Sequence, residues 1–138
     1  MRHLLDTNIL SDLIRNPRGM ASARLGGVRS DEVVTSIIVA GELRCGAAKN
    51  RSASLESKVE RMLRSFAVMP FEHPADVLYS DIRAKLERVG RQISNNDLLI
   101  AAHALATGCA LVTDNVREFA CVDSLHVKKL AALTAGRP

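Results

Sequence analysis

His3-Leu4-Leu5-Asp6-Thr7-Asn8-Ile9-Leu10, reading HLLDTNIL, is the stretch that decides the fold. Leu4 and Leu5 suit a short buried strand. Beyond Asp6, the residues Ile9, Leu10, Leu13 and Ile14 recur at the three-to-four spacing of an amphipathic helix. Asp6 therefore stands where a first strand ends and a helix begins. In α/β folds the carboxyl ends of the strands are where ligands bind. Asp6 also suits the plainer role of N-cap to that helix. Whether other carboxylates reach the same sheet edge separates the two readings.

Outward from this stretch, strands and helices alternate. Asn16-Pro17-Arg18-Gly19 is a turn and Gly26-Gly27 a second break. Val33-Val34-Thr35 is a β-branched strand, and Ser36 suits the cap of a helix running from Ile37 to Lys49. A polar loop spans Asn50 to Ser54. Leu55, Val59, Met62, Leu63 and Phe66 form one helical stripe, readable as core or as interface. Ala67 to Phe71 reads as a third strand. Pro74 suits the first residue of a helix reaching Val89, with Gly90 as its stop. Leu98 to Ala106 is apolar almost all round and reads as a buried helix ended by Gly108. Ala110 to Thr113 is a buried strand, a short helical turn runs through Phe119, and Leu125-His126-Val127 reads as an edge strand. This alternation predicts an α/β fold with a mainly parallel central sheet flanked by helices. No linker interrupts it, so residues 1–138 read as one domain.

Composition narrows the function. Hydrophobic residues make up 47% of the 138 and charged residues 25%, as in globular proteins. No apolar run is long enough to span a membrane and no secretion signal opens the chain, which points to the cytoplasm. Cys45, Cys109 and Cys121 lack metal or disulfide spacing; Cys45 and Cys109 read as small core residues. With no Trp, one Tyr and three Phe, a single-strand binder built on stacked aromatics is disfavoured. The net charge of +4, carried mostly by arginine, is compatible with an anionic partner.

Four acid-bearing segments fall at strand or helix ends. Glu42 lies on the Ile37–Lys49 helix among Ile38, Val39, Leu43, Cys45 and Ala47, where a carboxylate would leave water and need a cation or an arginine partner. Asp97 closes the Ser94-Asn95-Asn96-Asp97 run, a capping-box pattern compatible with a second duty as ligand. Asp114 and Asn115 follow the Ala110–Thr113 strand and suit a turn as well as a site. Carboxylates gathered at one edge repel each other unless a positive charge holds them. Hard oxygen donors of this kind suit Mg²⁺, or Mn²⁺ in its place.

Taken together, LLDTNIL, the Glu in VAGEL, NNDLLIAAHAL and LVTDNVREF resemble the PIN-domain ribonucleases, and length and spacing are similar to the VapC-type toxins of bacterial toxin–antitoxin pairs. The resemblance covers nearly the whole chain. It implies Mg²⁺ ligands at Asp6 and Asp97, and a third acid at Glu42 that helps hold metal or orients the attacking water. A fourth position falls on the Thr113-x-Asn115 element with Asp114 between, and Thr7 and Asn8 support the first ligand. It departs from an all-acidic set at Asn115. The resemblance further implies Mg²⁺-dependent endonucleolytic cleavage of RNA, tRNA included. It also implies a homodimer joined to a VapB-type antitoxin in a larger complex, and no membrane association.

An acidic pocket repels bare RNA, so arginines must supply phosphate contacts; Arg15, Arg18, Arg24, Arg44 and Arg117 are the candidates. Two rivals stand beside this reading. A receiver-type signalling domain would also gather acids around Mg²⁺, but the third strand lacks the phospho-accepting Asp and Lys128-Lys129 comes late. A non-catalytic RNA- or partner-binding module would bind without turnover.

Overall fold

A computed structural model describes residues 1–133 of the chain. Its strands are β1 (His3–Leu5), β2 (Val33–Ser36), β3 (Ala67–Met69), β4 (Ala110–Val112) and β5 (Val127–Lys128). They form one sheet in the order β3-β2-β1-β4-β5, every neighbouring pair parallel. The helices are α1 (Thr7–Arg15), α2 (Met20–Gly26), α3 (Ile37–Asn50), α4 (Ala53–Arg64), α5 (Ala75–Arg88), α6 (Asn95–Thr107) and α7 (Val116–Phe119). The expected mainly parallel α/β sheet is what the chain forms. Its strand order differs from the 2-1-3-4-5 order of receiver domains, so that rival falls.

The centre of the sheet positions the site. From β1 the chain adds β2 and β3 on one side, then returns to add β4 and β5 on the other. That reversal makes the carboxyl ends of β1 and β4 a topological switch point, where open α/β sheets leave a crevice. Leu5 is in register with Thr35 and with Val112, so Asp6, Ser36 and Thr113 form the next rung. Beneath them Leu4, Leu5, Ile9, Leu10, Ile100, Leu111, Val112 and Phe119 are fully enclosed. Burying apolar side chains on both faces of β1 and β4 contributes about 1.5–3 kcal/mol each, which anchors the strand ends.

Several boundaries differ from the sequence reading. The α2 helix was not signalled, because only Ala21 in MASARLG is buried and no apolar period marks it. The polar loop shrinks because Ser52 caps α4, its Oγ accepting from the Leu55 amide at 3.1 Å. Pro74 is the N-cap of α5, one position before the first helical residue. β3 stops at Met69, before a proline that lacks a ladder donor. β5 starts at Val127, two residues late, after Ser124 turns the chain with φ 68°. Gly108, at φ 69°, ends α6 as expected; the left-handed region favours glycine there. The Leu55–Phe66 stripe is core: Val59 and Leu63 are buried, and Leu55, Met62 and Phe66 pack against them. Cys109 is buried, but Cys45 is exposed, because the buried stripe of α3 runs through Val39, Ala40, Leu43 and Ala47. Among the described residues no helix is long and apolar enough to cross a membrane.

Candidate active site

Asp6 is the N-cap of α1 and stands at the sheet edge where the site was expected. It is 3% exposed, and its Oδ1 accepts the Thr7 amide at 2.8 Å, capping α1. Its Oδ2 accepts the Thr113 hydroxyl at 2.7 Å and, at 3.4 Å, the Asn8 side-chain amide. Asn8 Oδ1 in turn accepts the Asp114 amide at 3.2 Å, tying the start of α1 to the chain leaving β4. Burial pushes the Asp6 carboxyl above the ordinary range despite the Thr113 and Thr7 bonds, and the charges of Glu42 and Asp114 add to the shift.

Glu42 reaches this edge from α3. The Thr7 hydroxyl donates to its Oε1 at 2.6 Å and the Asn96 amide to its Oε2 at 3.3 Å. The expectation of a carboxylate sunk in the apolar face needs correction. Glu42 is half-buried at the margin of the buried stripe, because Ile37 and Cys45 do not belong to that stripe. The margin faces α1 and the first turn of α6, so Glu42 meets hydrogen-bond donors and no arginine.

Asp97 shares the capping pair with Ser94. Ser94 is the N-cap of α6, its Oγ accepting the Asp97 amide at 3.2 Å. The Asp97 carboxyl, bonded to the Ser94 side chain, also faces Glu118 and Asp6. Partial burial first, and then those two negative neighbours, push it up to about 6.

Glu118 is the residue that sequence reasoning passed over. It stands in the first turn of α7, next to Phe119, which is fully buried and pins this one-turn helix against the core. The available signal was that anchor: an acid beside a buried Phe just past a strand end has little freedom to leave the edge. The two residues proposed for this region are placed differently. Asp114 and Asn115 are exposed and contribute amides, Asp114 N–H to Asn8 and Asn115 N–H to Thr113 Oγ1 at 3.0 Å.

The arginines separate by position. Arg15 lines a groove with Thr7, Ser11 and Glu42, two helical turns from the acids. Arg117 is exposed and precedes Glu118. Arg18 is in the turn between α1 and α2, and Arg24 contacts the Leu133 carbonyl at 3.4 Å beside α2, neither lining that groove. Arg44 points two nitrogens at Glu60, each at 2.9 Å, so its guanidinium is already committed.

The sequence model of the PIN domain matches residues 3–125. The chain belongs to the PIN-domain family. Among its relatives, Ribonuclease VapC2 of Rickettsia felis is 33% identical over 91% of this chain and 95% of its own. The tRNA(fMet)-specific endonuclease VapC of Shigella flexneri is 30% identical over 93% and 97%. Among solved structures, VapBC2 of Rickettsia felis bound to a promoter DNA fragment superposes with a TM-score of 0.87 at 31% identity, covering 94% of this chain and 98% of that one. FitAcB of Neisseria gonorrhoeae gives 0.81 at 27%, covering 95% and 99%.

For a PIN domain the remaining question is whether these residues suit a divalent ion. Among the described residues, none of the five ion pairs involves Asp6, Glu42, Asp97 or Glu118. With Asp114, whose charge also acts on Asp6, five carboxylates share one edge with no ion-pair partner among the described residues, a charge arrangement that a cation relieves. No three His, Cys, Asp or Glu side chains among the described residues close tightly enough to enclose an ion by themselves. An ion held here would draw only one or two ligands from the protein and the rest from water.

Proposed function

We propose that this PIN domain is a Mg²⁺-dependent endoribonuclease, with Mn²⁺ able to substitute, and the toxin of a type II toxin–antitoxin pair. The observation that supports the reading is the grouping of Asp6, Glu42, Asp97 and Glu118 at the switch point with no ion-pair partner among the described residues. The names of its relatives, ribonucleases and a tRNA-specific endonuclease, support RNA as substrate, tRNA included. The VapBC and FitAB complexes among its structural neighbours support a VapB-type antitoxin as inhibitor and a homodimer within a larger assembly. Both the substrate and the antitoxin would be met in the cytoplasm.

In this mechanism Asp6 and Asp97 would hold the ion. A bound divalent ion supplies positive charge to the scissile phosphate and lowers the pKa of a water. Glu42, fixed by Thr7 and Asn96, would accept a hydrogen bond from the attacking water and aim it at the phosphate. Glu118 sets the charge on Asp97, and Thr113 and Asn8 hold Asp6 in place. Arg15 and Arg117 contact phosphates on either side of the cup, offsetting its repulsion of the RNA.

The test is cleavage of a structured RNA by antitoxin-free protein with Mg²⁺ and with EDTA. Cleavage that needs the ion, and that disappears in Asp6→Asn, is expected. Equal cleavage by wild type and Asp6→Asn under matched conditions contradicts the metal-site assignment. Binding without turnover under any divalent ion favours the regulatory-module alternative.

A further inference from the structure

One buried polar pair lies outside the machinery described so far. His103, on α6, is 1% exposed, and Ser36, at the end of β2, is fully buried. Their side chains meet at 2.7 Å, Ser36 Oγ to His103 Nδ1. Ser36 is also the N-cap of α3, its Oγ accepting the Ile38 amide at 3.0 Å. Among the described residues the Ile38 amide and the His103 ring are the polar partners of Ser36 Oγ, so donation to Nδ1 is the arrangement that leaves no buried hydroxyl proton unpaired. Nδ1 is then the acceptor and Nε2 carries the ring proton. Burial lowers the pKa of His103, in keeping with a neutral ring. Nε2 is buried with no partner of good geometry, the Pro70 backbone lies against the ring and partly opposes the effect of burial, and the Phe71 ring stands edge-on at 5.4 Å. The imidazole is thus walled in, with its one short hydrogen bond directed at the cap of α3.

The register of the two helices gives this bond a consequence. Asn96 and His103 are seven residues apart on α6 and share one stripe, roughly 10 Å between them. Ser36 and Glu42 are six residues apart along α3. Late α6 meets early α3 through His103 and Ser36, and early α6 meets Glu42 through Asn96. The helices run antiparallel and are tied at both ends of the seam. The outer tie is long, at 3.3 Å, and solvent-exposed; the inner one is short and buried. Asp97 is the neighbour of the outer tie.

We propose that His103 is a positioning residue for the ribonuclease reaction, its Nδ1 anchoring the Ser36 cap so that α3 holds Glu42 at a fixed place beside Asp97. The proposal rests on the ribonuclease reading above. His103 touches neither substrate nor ion; it acts through Ser36 and Glu42. Misplacement of a water-orienting group by about 1 Å is enough for a hundredfold loss of rate, so a slack seam shows in kcat before it shows in substrate affinity.

The test compares two replacements whose stabilities and activities should rank in opposite order. His103→Leu fills the space without a polar atom, whereas His103→Asn is smaller but returns an acceptor close to the position of Nδ1. Urea unfolding should rank Leu above Asn, because a void and a buried amide both destabilise. Single-turnover RNA cleavage at saturating Mg²⁺ should rank Asn above Leu by about tenfold or more, with KM unchanged. Ser36→Thr, which keeps the hydroxyl, should cleave faster than Ser36→Ala. Nitrogen-15 spectra of the wild-type imidazole should show a neutral ring protonated at Nε2. Activity that follows stability, with Leu at or above Asn, overturns the proposal, as does a ring protonated at Nδ1. If wild type cleaves no RNA with any divalent ion, the ribonuclease reading fails first. If wild type cleaves and the Leu and Asn variants match it, only the role of His103 fails.

Discussion

Thr7 and Glu42, thirty-five residues apart in sequence, are joined by a 2.6 Å hydrogen bond from the Thr7 hydroxyl to Oε1. Thr7 is also the residue whose amide Asp6 caps, so one residue contacts two of the site carboxylates. Removing the hydroxyl should free Glu42 while leaving Asp6 in place. Thr7→Val is expected to lower kcat about tenfold, with a stability change within about 1 kcal/mol, and Thr7→Ser to restore the rate. Single-turnover cleavage alongside urea unfolding checks both halves.

Asp97 gives the account a pH signature. Its carboxyl is pushed up to about 6 in the folded state, against an ordinary value near 4 in the unfolded chain. Between those values the folded protein binds more protons than the unfolded one, so metal-free stability falls as pH rises from about 4 to 6. A divalent ion favours the ionised carboxylate and opposes that loss. Unfolding midpoints measured across this window with EDTA and with Mg²⁺ should therefore diverge as pH increases. The Mg²⁺ concentration for half-maximal activity should climb as pH drops below 6.

Glu118 should behave as a residue kept for function at a cost in stability. Glu118→Gln removes a negative charge facing Asp97, so metal-free protein should become more resistant to urea, and the Asp97 carboxyl should return toward its ordinary range. RNA cleavage should fall at least tenfold in the same variant. Asn115→Ala, whose contribution is a backbone amide, should stay near wild type in both measurements. Carbon-13 titration of the carboxyl groups and cleavage assays separate these outcomes.

The arginines make a third contrast. Arg15→Ala and Arg117→Ala should each weaken RNA binding and reduce the slope of log K against log salt by about one. Arg44→Ala should leave that slope alone, because Arg44 is paired with Glu60. Filter binding to a cleavage-deficient Asp6→Asn protein across a salt series measures all three.

Much of this was legible in the chain. HLLDTNIL announced a strand, a carboxylate and a helix, and the alternation of short apolar runs with helical stripes announced the parallel sheet, while its order and register came only from the structure. Asp6 and Asp97 were visible because capping patterns locate the helix starts they flank, and Glu42 because a carboxylate stands out on a mostly apolar helix. Glu118 was hidden for a physical reason: α7 is a single turn held by Phe119, too short to show a period. The commitment of Arg44 was hidden as well, since Glu60 lies sixteen residues away on another helix. The His103–Ser36 bond spans sixty-seven residues, and no local pattern encodes that pairing. Sequence periodicity finds the faces of elements; which polar groups meet between elements depends on packing.

The most direct measurement is calorimetric titration of Mn²⁺ into antitoxin-free protein at neutral pH, with Asp6→Asn and Asp97→Asn alongside. If these side chains gather to hold a divalent ion, wild type binds saturably and each variant binds at least tenfold more weakly while remaining folded. Wild-type affinity in both folded variants, or no saturable binding by a wild type that cleaves RNA, would contradict the account.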